Sequence, residues 1–243
     1  MSFTATVLGV GDAFSALHYT SSLLLEAAGM AILVDCPHPI RKMLREGTNG
    51  RVDVQDVRGV VVTHLHADHA SGLEGFAYYT HFMLGSRTPL IAGPEVLAQA
   101  WEGHLAVGMS VLRDAEGPHS KTFESFFDPC PAVPGVVVGF GPFAIEARPT
   151  HHHIPTYAFK IRAAGRTVGI SGDTAFDEGL IEWLAPSDLI VHEANLGPAH
   201  TPYESLAALP SELRNRMRVT HLPDGFEPDG AVQPLVQGQR LEV

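Results

Sequence analysis

Thr63-His64-Leu65-His66-Ala67-Asp68-His69 decides how this chain is read. It follows Arg58-Gly59-Val60-Val61-Val62, a short β-branched run that reads as a buried strand. It precedes Ala70-Ser71-Gly72-Leu73-Glu74-Gly75, whose small and polar residues suit a turn into a helix. Four candidate metal ligands thus crowd together at a strand end, and imidazole and carboxylate are ligands that zinc, manganese and iron accept. Side-chain direction in an extended segment repeats every two residues, so His64 and His66 point the same way. Asp68 and His69 then require a bend, which aims them at a second ion. The competing reading is a polar loop with unrelated histidines. It leaves each buried imidazole or carboxylate needing a partner of its own.

Composition bounds the rest. At 243 residues the chain suits one large domain or two small ones. A chain of this size buries about 70–75% of its unfolded surface, enough for a layered core without disulfides. Cys36 and Cys130 are the only cysteines. They are far apart and suggest neither a disulfide framework nor a thiolate zinc site. No stretch approaches the roughly 18 apolar residues of a membrane span. A reduced, cytoplasmic setting is the expectation. The net charge of −11 argues against general nucleic-acid affinity, which rests on Lys and Arg neutralising phosphates. A single phosphate at a metal centre is not excluded, because bound divalent ions invert the local charge. The 14 histidines nearly match the 16 Lys plus Arg, an excess that invites a search for ligands.

Strands are expected at 4–10, 21–26 and 31–35, with Gly29 turning the hairpin between the last two. Helices are expected at 40–45, 73–84 and 95–101, the last behind Pro94. Pro89 to Gly93 reads as a strand. From about Glu102 to Pro134 the period is lost among Gly103, Gly108, Gly117, Pro118, Pro129, Pro131 and Pro134. Such a stretch reads as a lid, a binding loop or an interface arm. The second half is again strand-rich. Strands are expected at 135–139, 143–147, 156–162, 166–170 and 188–192, with Ala164-Gly165 as a hairpin turn. Helices are expected at 177–184, 204–209 and 211–216. The tail from Gly225 reads as extended or partly mobile.

Further candidate ligands sit at further strand ends. Arg148-Pro149-Thr150 runs into His151-His152-His153, and Thr167 to Ile170 runs into Ser171-Gly172-Asp173-Thr174. Leu189-Ile190-Val191 runs into His192-Glu193-Ala194-Asn195, and Arg218-Val219-Thr220 into His221. Loops at strand ends, held by a rigid sheet, commonly carry ligands and catalytic groups. Together these runs point to one shared site. Of the three adjacent histidines, His151 and His153 face one side of a strand and His152 the other, and spacing alone does not choose between them.

His64-x-His66-x-Asp68-His69 resembles the mark of the metallo-β-lactamase superfamily. The likeness runs from Leu8-Gly9-x-Gly11 through Leu33-Val34-Asp35 to Thr220-His221. His152 to Phe159, Ser171-Gly172-Asp173-Thr174 and His192-Glu193-Ala194 are similar to its ribonuclease Z and phosphodiesterase branch. The resemblance implies an α/β fold, an αββα sandwich of two mixed sheets flanked by helices. It implies a single domain over 1–243, with two similar halves meeting near 130–145. It implies one metal held by His64, His66 and His152, a second held by Asp68, His69 and His221, and Asp173 bridging them. It places His152 in the ligand register. The ions implied are two divalent cations, zinc first, with manganese or iron as alternatives. Dimers are common in the superfamily, so a homodimer is an expectation. Two departures stand out. Pro37-His38-Pro39 follows Asp35-Cys36 where the family has glycine. No basic Gly/Pro-rich arm is present, so tRNA is not an expected partner.

The expected chemistry is hydrolysis of a small-molecule substrate by a metal-bound hydroxide, with Asp68 orienting the nucleophile. His192 is expected to protonate the leaving oxygen, with Glu193 orienting it. His18, His38, His104, His119 and His200 lack this context and read as surface or hydrogen-bonded histidines. A phosphodiesterase acting on a small phosphodiester or cyclic nucleotide is the leading reading. A thioesterase, esterase or lactonase with the same metals is the alternative, and a non-catalytic metal-bound scaffold ranks third.

Overall fold

The computed structural model describes residues 2–243. The first half opens with an antiparallel run, β1 (Phe3–Gly9), β2 (Ser22–Ala27) and β3 (Met30–Val34). Ala28 and Gly29, at φ 50° and 78°, make the two-residue turn between β2 and β3. Helix α1 (Ile40–Gly47) then buries Ile40, Met43 and Leu44 on one face. Strand β4 (Val57–Val62) leads through the histidine run into the single turn α2 (Ala67–Ala70) and on to α3 (Leu73–Leu84). Strand β5 (Thr88–Ala92) and α4 (Pro94–Ala100) follow.

The stretch 102–134, read as a lid, a binding loop or an interface arm, carries regular elements despite its glycines and prolines. A wide helical turn, Trp101–Leu105, carries α4 into α5 (Ala106–Met109). An exposed hairpin, β6 (Val111–Asp114) and β7 (Gly117–Ser120), follows. The chain then returns as β8 (Phe127–Pro131), which pairs with β5 at the edge of the sheet. Pro129 and Pro131 broke the expected pattern, yet an edge strand tolerates proline because half its backbone needs no ladder partner. Phe126 and Phe127 are fully buried, and Trp101 stacks on Phe126 with ring centroids 6.2 Å apart.

The second half contains β9 (Val138–Phe140), β10 (Phe143–Pro149), β11 (Tyr157–Ala163) and β12 (Arg166–Ile170). Ala164 and Gly165, again at positive φ, turn β11 into β12. Helix α6 (Glu178–Leu184) starts at Asp177, whose side chain accepts from the Gly179 N–H at 2.8 Å. Strand β13 (Leu189–Glu193), helices α7 (Tyr203–Ala207) and α8 (Ser211–Asn215) and strand β14 (Met217–Thr220) complete the half. The tail is extended as expected, but it is paired throughout its two short strands. β15 (Gln233–Pro234) lies along β14, and β16 (Arg240–Glu242) pairs with β1.

The sheets run β16-β1-β2-β3-β4-β5-β8 and β15-β14-β13-β12-β11-β10-β9. Their inner faces share one core, in which Phe3 meets Phe143 across the layers at 6.1 Å between centroids. With helices on the outer faces this is the αββα sandwich, and its strand ends converge at one edge.

Candidate metal centre

Strand β4 ends in Thr63, and the run that follows is held by Asp35, the first residue after β3. Asp35 accepts from the Thr63 N–H at 2.8 Å and from its hydroxyl at 2.9 Å. It also accepts from His69 Nδ1 at 2.8 Å. Asp35 reaches this position with φ at 59°, a left-handed conformation uncommon for a residue with a side chain. The His69 carbonyl accepts from the Cys36 N–H, and Gly72 closes the loop by donating to the Cys36 carbonyl. A Cβ on Gly72 would lie 2.5 Å from the Pro37 carbonyl oxygen, so no other residue fits this approach.

The second half brings three strand ends to the same place. His152 follows β10, Asp173 follows β12 and His221 follows β14. Asp173 comes after Gly172, which is at φ 59°, and His221 is itself at φ 60°. His151 and His153 point outward while His152 turns in, its side chain 1% exposed.

Two donor groups result. His64, His66, His152 and Asp173 form one, and Asp68, His69, His221 and Asp173 form the other, each with its donor atoms within 4.8 Å of one another. In the first, His66 Nδ1 lies 3.1 Å from both His64 Nε2 and His152 Nε2. Asp173 Oδ2 is 3.7 Å from those two Nε2 atoms. In the second, Asp68 Oδ2 is 3.3 Å from His69 Nε2 and 3.1 Å from His221 Nε2. Asp173 reaches His69 through Oδ1 at 3.4 Å and His221 through Oδ2 at 3.5 Å. A tetrahedral ion bound at about 2.0–2.1 Å spaces its donors about 3.3 Å apart.

The hydrogen bonds on the far side of each ring test whether an ion fits. The Thr63 hydroxyl proton goes to Asp35, so His64 Nδ1, 3.0 Å from that oxygen, is the donor. His152 Nδ1 donates to the Ala199 carbonyl at 3.0 Å, and His69 Nδ1 donates to Asp35. In each neutral ring the other nitrogen, Nε2, is then a bare lone pair, and all three aim at the centre. His69 Nε2 is buried with no hydrogen-bond partner. The donor chemistry fits a divalent cation, which these inward nitrogens and carboxylates would hold.

The charge balance agrees. Burial lowers His64 and His66, and it lowers His152 to about 4. Burial would raise the Asp173 and Asp68 carboxyls, but the facing histidines, His69 and His221 above all, hold both well below the usual range. The same burial opposes a charge on His69 and His221, yet Asp173 raises both. Protons and a metal therefore compete for one set of atoms. The chemistry such a donor set supports is metal-dependent hydrolysis.

The expected pairing of His192 with the Glu193 carboxylate is not formed. Successive strand residues face opposite sides, so Glu193 turns toward the centre and His192 turns away. His192 is 1% exposed, and its Nδ1 lies 2.7 Å from the Glu193 backbone carbonyl. Burial lowers it to about 4, so it is neutral. The partner of Glu193 is His200, whose Nδ1 donates to Oε1 at 3.0 Å. Oε1 also accepts from the Thr174 N–H at 2.8 Å. The His200 ring stacks on His221 at 5.5 Å and lies 5.1 Å from His152. That hydrogen bond raises His200, while burial raises Glu193. His200 went unmarked in the sequence because no strand precedes it. It sits in a loop, and only the fold returns it to the centre.

Comparison with known proteins places this arrangement. The profile of "Anti-Pycsar protein Apyc1" matches residues 3–237. The protein of that name from Bacillus phage BSP38 is 30% identical over 238 residues, covering 91% of this chain and 89% of its own length. The cAMP/cGMP-dependent 3′,5′-cAMP/cGMP phosphodiesterase B of Dictyostelium discoideum is 24% identical over 95% of this chain, which spans 22% of that longer protein. Among solved structures, the metallo-β-lactamase fold protein YhfI from Bacillus subtilis superposes over all of both chains with a TM-score of 0.80 at 19% identity. The chain therefore belongs to the Anti-Pycsar protein Apyc1 family, built on the metallo-β-lactamase fold.

Proposed function

We propose that this protein is a dinuclear metal-dependent phosphodiesterase that opens 3′,5′-cyclic mononucleotides. The observation that carries the proposal is the shared carboxylate: Asp173 faces both imidazole groups at 3.4–3.7 Å. A paired site of this kind suits in-line displacement at phosphorus, and the Dictyostelium relative is by name a cyclic-nucleotide phosphodiesterase. Divalent ions bound there would supply Lewis acidity, lowering the pKa of the attacking water and neutralising charge on the phosphoryl oxygens.

The chain's own groups do the rest. His64, His66 and His152 would hold one ion and Asp68, His69 and His221 the other, with Asp173 facing both groups. Asp68 commits Oδ2 to His69 and His221, which leaves Oδ1 to orient the attacking water. Glu193 fixes the ring of His200 through Nδ1, so Nε2 is the atom that delivers a proton. Attack at phosphorus forms one P–O bond and breaks a ring P–O bond, and the ribose oxygen that leaves takes the His200 proton. The product is a linear mononucleotide. His200 thus takes the role first expected of His192.

The test is a substrate panel on protein loaded with zinc or manganese, comparing wild type with Asp68→Ala. Hydrolysis of 3′,5′-cyclic AMP or bis(p-nitrophenyl) phosphate, lost in the variant, is the expected result. Turnover confined to p-nitrophenyl acetate or a thioester overturns the phosphodiester assignment.

A further inference from the structure

Two exposed apolar side chains stand on loops whose backbones are tied to the His221 ring through Asp12 and Asn195. Phe14 is 91% exposed and Leu196 is 73% exposed. They come from opposite halves of the chain, one after β1 and one after β13. The buried Asp12 carboxylate joins them: Oδ1 accepts from the Phe14 N–H at 2.9 Å, and Oδ2 accepts from the Asn195 side-chain amide at 3.2 Å. Asn195 Oδ1 in turn accepts from the Leu196 N–H at 2.7 Å. The same Asn195 amide nitrogen lies 3.2 Å from His221 Nδ1, so this clasp abuts a candidate ligand ring.

The Phe14 loop is pinned a second time. Asp224, three residues beyond His221, accepts from the Ser15 hydroxyl at 2.6 Å and from the Ala16 and Leu17 N–H groups at 2.6 and 3.2 Å. Leu196 also walls a pocket of about 170 Å³ that includes Pro202, Tyr203, Leu222 and Phe226. Its loop runs on to His200, the proposed proton donor. An apolar side chain left in water and fixed at its backbone is preorganised for contact, since little ordering entropy remains to be lost on binding.

The geometry points to Phe14 and Leu196 as the apolar rim that takes the flat base of a nucleotide substrate, an inference that rests on the phosphodiesterase reading. Every base has a π-face, so a stacking rim of this kind favours nucleotides as a class with little choice among bases. The phosphate chemistry is left to the centre, and the rim acts on binding.

Steady-state kinetics on two substrates test it: 3′,5′-cyclic AMP, and ribose 3′,5′-cyclic phosphate carrying no base. Phe14→Ala is expected to raise KM for cyclic AMP about tenfold, the size of one lost stacking contact. Leu196→Ala is expected to raise it about threefold. Neither changes kcat/KM for the baseless substrate. Phe14→Trp restores the KM, and its added fluorescence is quenched by cyclic AMP but not by the baseless compound. Equal losses on both substrates, or none on either, overturn the inference and leave the phosphodiesterase standing. A fall in native mass on Phe14→Ala overturns it too, by giving the rim to a second copy of the chain. Wild-type protein inactive on both substrates removes the phosphodiesterase reading and this inference with it.

Discussion

His64, His66, Asp68 and His69 come from one short run that leaves β4 and enters α2, whereas His152, Asp173 and His221 come from three separate strand ends. The first group is preorganised locally. Asp35 binds both ends of the run, at Thr63 and at His69, so its geometry depends on one loop and one carboxylate. The second group depends on the sheet. Each residue leaves a different strand, and β13 and β14 must lie parallel in register before His221 and Glu193 approach one another. The difference teaches that a site shared by two halves can be local on one side and global on the other. Asp173 is where the two modes meet.

Removing that meeting point is expected to cost most. Asp173→Ala should lower metal content from two ions per chain to one or none, and turnover by about 10³-fold or more. Plasma emission analysis of dialysed protein checks the count, and two retained ions would break the comparison at its centre. Next comes the proposed proton donor, His200. His200→Ala should keep both ions and lose about 10²–10⁴ in turnover, the usual range for a general acid. Loss of metal in that variant would instead make His200 part of the ion's support.

Asp35→Asn isolates the local mode. It loosens His69 directly and His64 through Thr63, and should reduce affinity about 10–100-fold for the ion at His69 and by less for the ion at His64. Competition against a chromophoric chelator resolves the two steps. Unchanged affinity for both would show that Asp35 does not preorganise the run.

His192 should matter least for turnover and show itself in stability. His192→Asn is expected to hydrolyse substrate within about twofold of wild type. The folded-state value of about 4 lies below the ordinary 6.5, so the unfolded chain binds more protons between those values. Wild type therefore loses stability as pH falls from 6.5 toward 4, by about 3 kcal/mol from this group. The variant lacks that component. Urea unfolding at pH 7 and pH 5 measures the difference, and parallel profiles would show that His192 is not held neutral by burial.

The local mode is also what made the sequence legible. Val60 to Val62 followed by His64-x-His66-x-Asp68-His69 states both a strand and its cargo in one line. Alternation left the choice among His151, His152 and His153 open and the resemblance pointed to His152; the three lie in a bend beyond β10, where His152 turns inward. Period-two logic applied to His192 and Glu193 would equally have put the two side chains on opposite faces, and it was overridden by their adjacency. His200 and the Asp12–Asn195 clasp were not legible, because loop residues carry no period and their partners are distant in sequence. Pro129 and Pro131 hid β8 because proline forbids a central strand but not an edge. The tail looked loose because its two paired segments, Gln233–Pro234 and Arg240–Glu242, are too short to show alternation.

The central claim is that the centre built around Asp173 would hold two ions and that the protein cleaves a cyclic phosphodiester. Hydrolysis of 3′,5′-cyclic AMP, followed while metal-free protein is titrated with zinc or manganese, tests it most directly. The account predicts that turnover reaches its maximum at two equivalents per chain and that Asp173→Ala stays inactive throughout. Full turnover at one equivalent, or none at any loading, would contradict it.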